Sequence, residues 1–311
     1  VDLCNQTGDI WSIKIIMKNV IEIERLTHRY GKRIIYEDMN FAVPQGKVVG
    51  LLGKNGVGKT TLIKILMGFL RPESGVCRIF GENPHNLSPA TRARIGLLFE
   101  GHLAYEFMTI SQIERFYSAF YPSWNRDIYF DLVDRLKLPY SHKIGNMSCG
   151  QRSQVVLGLI FAQNPDLMIL DDYSMGLDAG YRRLFLDYLS EYVKDGTKTV
   201  FVTSHVIQDM EKIVDEVIFL LRGGEIIQTS LSEFMSDFRQ YNFEKNITLE
   251  KLETDKIIRN IDTYGKSACV YSFESKEKVL GHIRGKGIDA NNIQPVSMTL
   301  EDAFIGLTGK Y

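Results

Sequence analysis

The nine residues Gly53-Lys54-Asn55-Gly56-Val57-Gly58-Lys59-Thr60-Thr61 constrain this chain more than any other segment. They follow an apolar run, Val48-Val49-Gly50-Leu51-Leu52, that reads as a buried strand, and precede Leu62-Ile63-Lys64-Ile65-Leu66-Met67, spaced as a helix packed on a sheet. Strand, glycine loop and helix in that order give the G-x-x-x-x-G-K-[ST] pattern the context of a phosphate-binding loop. The glycines let the backbone wrap around phosphate oxygens with N–H groups pointing inward, and the helix N-terminus adds partial positive charge. Lys59 is expected to reach the β- and γ-phosphates, and the Thr60 hydroxyl to bind Mg²⁺. A nucleoside triphosphate is the ligand this predicts.

The chain has 311 residues, enough for one large domain with a small one beside it. At 44% hydrophobic and 24% charged it has the composition of a globular protein, and a formal net charge of −1 gives no reason to expect a nucleic-acid surface. Apolar runs such as Val217-Ile218-Phe219-Leu220-Leu221 have strand length, far short of a membrane span. Cys4, Cys77, Cys149 and Cys269 stand apart, without metal-ligand or redox spacing, which points to a reducing cytoplasm.

Residues 1–19 read as an N-terminal extension: the first sixteen have no clear period and lack the charged start and small-residue cleavage site of a signal peptide. Met17 is a candidate natural start, the alternative being an arm of the native protein. Strands are expected at 20–26, 34–43 and 47–53, the first two antiparallel, then at 76–80. Residues 109–138 predict two helices parted at Pro122. Helix 150–163, strand 167–171, helix 180–194, strand 198–203 and helix 206–213 alternate as in a parallel α/β sheet. Strands 215–221 and 224–229 form a hairpin at Gly223-Gly224. The polar, irregular stretch 238–250 marks a boundary. Beyond it a strand (267–274), a helix (275–284), a strand (288–296) and a short helix (300–307) compose an α/β appendage expected to pack on a partner surface.

A second set of residues joins the glycine loop. Leu167-Met168-Ile169-Leu170 ends in Asp171-Asp172, a buried strand that delivers carboxylates downstream of a phosphate loop, as a Mg²⁺-holding Walker B strand does. Met147-Ser148-Cys149-Gly150-Gln151 precedes the helix before it, Gly176-Leu177-Asp178 follows, and Thr203-Ser204-His205 closes a later strand.

In this order and spacing the motifs resemble the nucleotide-binding subunit of ATP-binding cassette (ABC) transporters over residues 20–235. The resemblance implies an α/β P-loop ATPase fold with a helical subdomain, the ATP-binding domain spanning 20–237 and the small C-terminal domain 238–311. It places Tyr30 against adenine, Gly53–Thr61 as Walker A, Glu100 at the Q-loop beside the metal, and Ser148, Gly150 and Gln151 in the signature motif. Asp171 matches the Walker B acid that binds Mg²⁺ with Thr60, Asp172 the catalytic carboxylate, Met175–Asp178 the D-loop and His205 the switch histidine. Leu300–Gly309 and Phe120-Tyr121-Pro122-Ser123-Trp124 look like the ATPase subunits of bacterial ABC-2-type exporters.

Four positions depart from the family's pattern. Cys149 replaces the first signature glycine, Glu100 stands for the Q-loop Gln, Tyr173 replaces a Pro, and Asp172 is one methylene shorter than the usual Glu. A retreat of ~1 Å at the group that positions water predicts slow hydrolysis. The reading that follows is an exporter ATPase, paired head to tail as a homodimer or with a second cassette around two ATP, and driving a separate membrane permease docked at Glu100–Tyr121. It would sit in the cytoplasm, on the inner face of the membrane. The alternative is a soluble ABC protein that uses ATP as a regulatory switch. The substrate stays open: peptide, drug, lipid or ion.

Overall fold

The computed structural model describes residues 18–309 other than 100–104, 175, 245–251, 265, 266, 289 and 291. The N-terminal extension up to Met17, together with Glu100 and Met175, therefore lies outside the described residues.

The described residues open with β1 (Asn19–Tyr30) and β2 (Arg33–Pro44), an antiparallel pair turning at Gly31, β1 five residues and β2 two residues longer than the alternation predicted. All five residues of β3 (Val48–Leu52) are buried, the pattern of a strand covered on both faces. The glycine loop leads into α1 (Lys59–Leu66), followed by β4 (Ser74–Ile79), α2 (Pro89–Ala93) and β5 (Ile95–Leu98). The expected pair of helices is α3 (Ile110–Ser118) and α4 (Arg126–Asp134), with Pro122 in the break between them. Then come α5 (Cys149–Ala162), β6 (Leu167–Leu170), α6 (Ala179–Val193), β7 (Thr199–Val202), α7 (Ile207–Met210), β8 (Glu216–Leu220) and β9 (Ile226–Ser230).

Two sheets build this part. A six-stranded sheet runs β5-β6-β7-β3-β8-β9, parallel except for β9, which pairs with β8 as the Gly223-Gly224 signal requires. A three-stranded antiparallel sheet, β2-β1-β4, packs beside it through a core that includes Ile21, Val43, Leu51, Leu62, Phe201 and Ile218. The strand order places the ends of β6, β7 and β3 next to one another. In an open parallel sheet ligands collect at the carboxyl ends of the strands, and there the glycine loop, Asp171-Asp172 and Thr203-Ser204-His205 leave the sheet.

The C-terminal region differs from its sequence reading. Helix α8 (Leu231–Asp237) was not expected, and the stretch read as an irregular boundary holds β10 (Arg239–Glu244), central in a second antiparallel sheet. That strand alternates, Tyr241 and Phe243 buried between polar neighbours, and its polar face concealed it from a search for apolar runs. β11 (Asn260–Tyr264), β12 (Ser267–Ser272), α9 (Lys276–Gly285), β13 (Gln294–Val296) and α10 (Leu300–Thr308) complete the unit, in sheet order β11-β12-β10-β13. The strand expected over 288–296 is confined to its last three residues. The unit has its own core of Tyr241, Phe243, Val270, Val279 and Ile283. It also buries Tyr271, Leu300, Ala303 and Phe304 in one cluster with Met210, Phe219, Phe234 and Phe238, so it packs on this chain's own large sheet.

Candidate functional site

A cleft of about 450 Å³ opens at the carboxyl ends of β3, β6 and β7, lined by Tyr30, Arg33, Asn55, Gly56, Gly58, Lys59, Thr60, Thr61, Asp171, Asp172, Thr203, Ser204 and His205. Residues from four distant parts of the sequence thus meet in one place.

The glycine loop needs its glycines. Gly58 caps α1 with φ 117°, and a Cβ there would lie 2.6 Å from the side chains of both Ile35 and Tyr36. Gly56, at φ 77°, is also in the left-handed region. Lys59 Nζ donates to the carbonyls of Gly53 (2.6 Å) and Lys54 (3.2 Å), which folds the ammonium back across the loop. Burial lowers its pKa, and Asp171 and Asp172 act in the opposite direction. Two residues the sequence reading missed brace the loop from β2: Arg33 donates to the Gly56 carbonyl at 2.6 Å, and the Tyr36 hydroxyl donates to the Gly58 carbonyl. No local pattern marks either residue, because the contact exists only once β2 lies over the loop.

The carboxylates are held from β7. Thr203 Oγ1 donates to Asp171 Oδ1 and accepts from the Asp172 N–H, both at 2.9 Å. Asp172 has φ 49°, a left-handed conformation that Asp tolerates better than most residues. Ser174 Oγ donates to its Oδ1 at 2.7 Å, the His205 N–H reaches the same oxygen at 3.4 Å, and His205 Nε2 stands 3.4 Å from Oδ2. Tyr173, between these polar residues, points the other way: it is buried against Phe185, ring centroids 4.6 Å apart. Thr203 and Ser174 extend the expected site; for Thr203, a hydroxyl directly after a buried strand was the available signal.

Thr60 and Asp171 suit a divalent cation of the Mg²⁺ kind. Both offer oxygen donors to the same cleft, Asp171 is nearly wholly buried, and no cluster of three or more His, Cys, Asp or Glu forms a metal cage among the described residues. A small hard ion that keeps water and phosphate oxygens among its ligands needs no such cage. Tyr30 is half exposed at the mouth of the cleft, its ring edge-on to His28 at 4.9 Å.

Other expected site residues do not line this cleft. Gly53, Lys54 and Val57 belong to the loop without facing it; Lys54 and Val57 line a separate cavity reaching Leu307 and Thr308. Ser148 and Gln151 cap α5 in a reciprocal capping box, and Asp178 caps α6 by accepting from the Tyr181 N–H. Cys149 Sγ turns toward Gly176, where a Cβ would come within 2.5 Å of it, so glycine at 176 makes room for this sulfur.

The family model described as ABC transporter matches residues 36–174. The chain carries an ABC transporter domain. The chain is 26% identical to the bacitracin transport ATP-binding protein BcrA of Enterococcus faecalis over 95% of its own length and 98% of that protein. It is also 26% identical to a Nod factor export ATP-binding protein I of Burkholderia orbicola over 93% of its length and 97% of that protein. Among solved structures, an ATP-binding subunit of an ABC transporter superposes with a TM-score of 0.62 at 24% identity, over 70% of this chain and 92% of the other. An ATP-binding cassette solved as a dimer in a post-hydrolysis state with ADP and Pi gives 0.59 at 21% identity, over 68% and 98%. These likenesses establish the cassette fold.

Proposed function

We propose that this chain hydrolyses ATP to ADP and phosphate to drive export through a separate membrane permease. The observation that carries the reading is one cleft lined by Lys59, Thr60, Asp171, Asp172 and His205, with an aromatic ring, Tyr30, at its mouth. Adenine stacks on Tyr30, the loop N–H groups wrap the phosphates, and Lys59 carries the positive charge facing the β- and γ-phosphates. Thr60 and Asp171, with Glu100 at the Q-loop, hold Mg²⁺, which when bound with the nucleotide neutralises charge building on the phosphate oxygens. Asp172 positions the attacking water and takes its proton, and His205 orients that carboxylate from 3.4 Å away.

Ser148, Gly150 and Gln151 stand outside their own chain's cleft, which fits their serving the cleft of a second cassette in a head-to-tail pair, with Asp178 of the D-loop at that junction. ATP then joins two subunits, and its hydrolysis releases them. The reading assigns residues 20–237 to ATP and 238–311 to a small C-terminal domain. The exposed aromatics Phe107 and Phe120, packed around Tyr105 and Phe116, form the face that meets the permease. No helix among the described residues is long and apolar enough to cross a membrane, in keeping with a subunit held at the inner face by that partner. The names of the relatives favour an exporter over a free regulatory switch.

Lys59→Ala tests the site. Loss of a charge-assisted contact to phosphate is expected to weaken ATP binding roughly 10- to 100-fold. Isothermal titration with ATP on the folded variant reads this directly, and wild-type affinity would remove the assignment.

A further inference from the structure

Two residues beyond His205 begins α7, a single turn from Ile207 to Met210. So short a helix has too few internal hydrogen bonds to fix its own position. It is gripped from two sides. From α6, Arg182 Nε donates to Asp209 Oδ2 at 3.0 Å, and the same guanidinium reaches the Leu177 carbonyl at 3.4 Å. From the C-terminal unit, Glu301 Oε2 accepts from Gln208 Nε2 at 2.9 Å, and Glu211 Oε2 accepts from the Leu300 N–H at 3.1 Å. Leu300 is the first residue of α10, where an N–H has no partner inside the helix and a negative charge is favoured. Beneath these bonds Met210 shares a buried apolar cluster with Leu300, Ala303 and Phe304. His205 is far less constrained, its side chain 58% exposed and 3.4 Å from Asp172.

We propose that α10 positions His205 through α7, with Gln208 and Glu211 as the positioning residues, so that docking of the C-terminal unit sets the rate of ATP hydrolysis and not the affinity for ATP. The proposal rests on the reading of Asp172 and His205 as the hydrolytic pair. The physical route is short. Displacing α10 frees Gln208 and Glu211, α7 shifts on Met210, and the loop carrying His205 moves with it. A protein that binds the C-terminal unit and lifts α10 would thereby slow the ATPase without touching its nucleotide.

Steady-state ATPase measurements on the full chain test this with Glu211→Ala and Gln208→Ala. The expected result is a fall in kcat of roughly 2- to 30-fold, the range for coupling through a packed element. KM for ATP should stay within about twofold, since the phosphate contacts are untouched. Glu211→Gln, which keeps an acceptor oxygen for the Leu300 N–H, should recover most of the lost rate. Unchanged kcat in both alanine variants overturns the proposal, as does a loss shared equally by kcat and ATP affinity that Glu211→Gln fails to rescue. If Lys59→Ala has lost ATP while Glu211→Ala turns over normally, the positioning role alone falls. Wild-type ATP affinity in Lys59→Ala removes the site reading and this inference with it.

Discussion

Asp172 combines a left-handed backbone with a carboxylate held on both oxygens, by Ser174 at 2.7 Å and by His205 at 3.4 Å. Those donors are set at the reach of an aspartate. A glutamate would carry its oxygens ~1 Å past them, and its longer side chain is less at ease at positive φ. The shorter acid is therefore matched to its loop. Asp172→Glu, although it restores the family's usual length, is expected to lower kcat about 10- to 100-fold. Phosphate-release assays check this, and a higher rate would mean that Asp172 is a handicap the loop has not accommodated. At the same scale, Lys59 and the loop glycines were legible because a phosphate site imposes a fixed local spacing. Arg33 and Tyr36 were not, because each acts through a partner 22 or 23 residues away.

Helix α10 shows how a single glycine sets the approach of an element. A Cβ at Gly306 would stand 2.2 Å from Tyr271 Cδ1, so the helix lies directly on that ring. Tyr271 is itself buried and stacks with Phe238, which leaves the ring little room to withdraw. Overpacking of this kind costs about 1–3 kcal/mol, so Gly306→Ala is expected to lower stability by that amount in urea unfolding. A midpoint unchanged from wild type would show that α10 can slide along the ring. Periodicity found most helices of the chain, including α3, α4, α5 and α6, to within a few residues. It missed β10, whose buried Tyr241 and Phe243 alternate with polar residues inside a stretch that reads as a linker. It also lengthened α7, which is one turn because the apolar residues after Met210 serve the core from a loop.

The C-terminal unit and the large sheet share one apolar core. Phe219 of β8 stacks on Phe304 at 6.5 Å, and Phe234 stacks on Phe238 at 5.3 Å. Ending the chain after residue 237 would bare the side of that cluster now covered by Tyr271, Leu300 and Phe304, at a cost of about 1.5–3 kcal/mol for each large side chain exposed. The shortened protein is expected to melt on the order of 10 °C below the full chain. Scanning calorimetry measures this, and an equal melting temperature would mean that the two parts are energetically independent. The sequence alone determined the phosphate loop, the Asp171-Asp172 strand and most of the strands and helices before residue 231, because each depends on neighbours a few residues apart. Tertiary structure decided which strands lie side by side, which side chains cross from β2 and β7 to brace the site, and where the C-terminal helix rests. Those contacts join residues tens to hundreds of positions apart, and their partners are chosen by packing and burial, which no local pattern encodes.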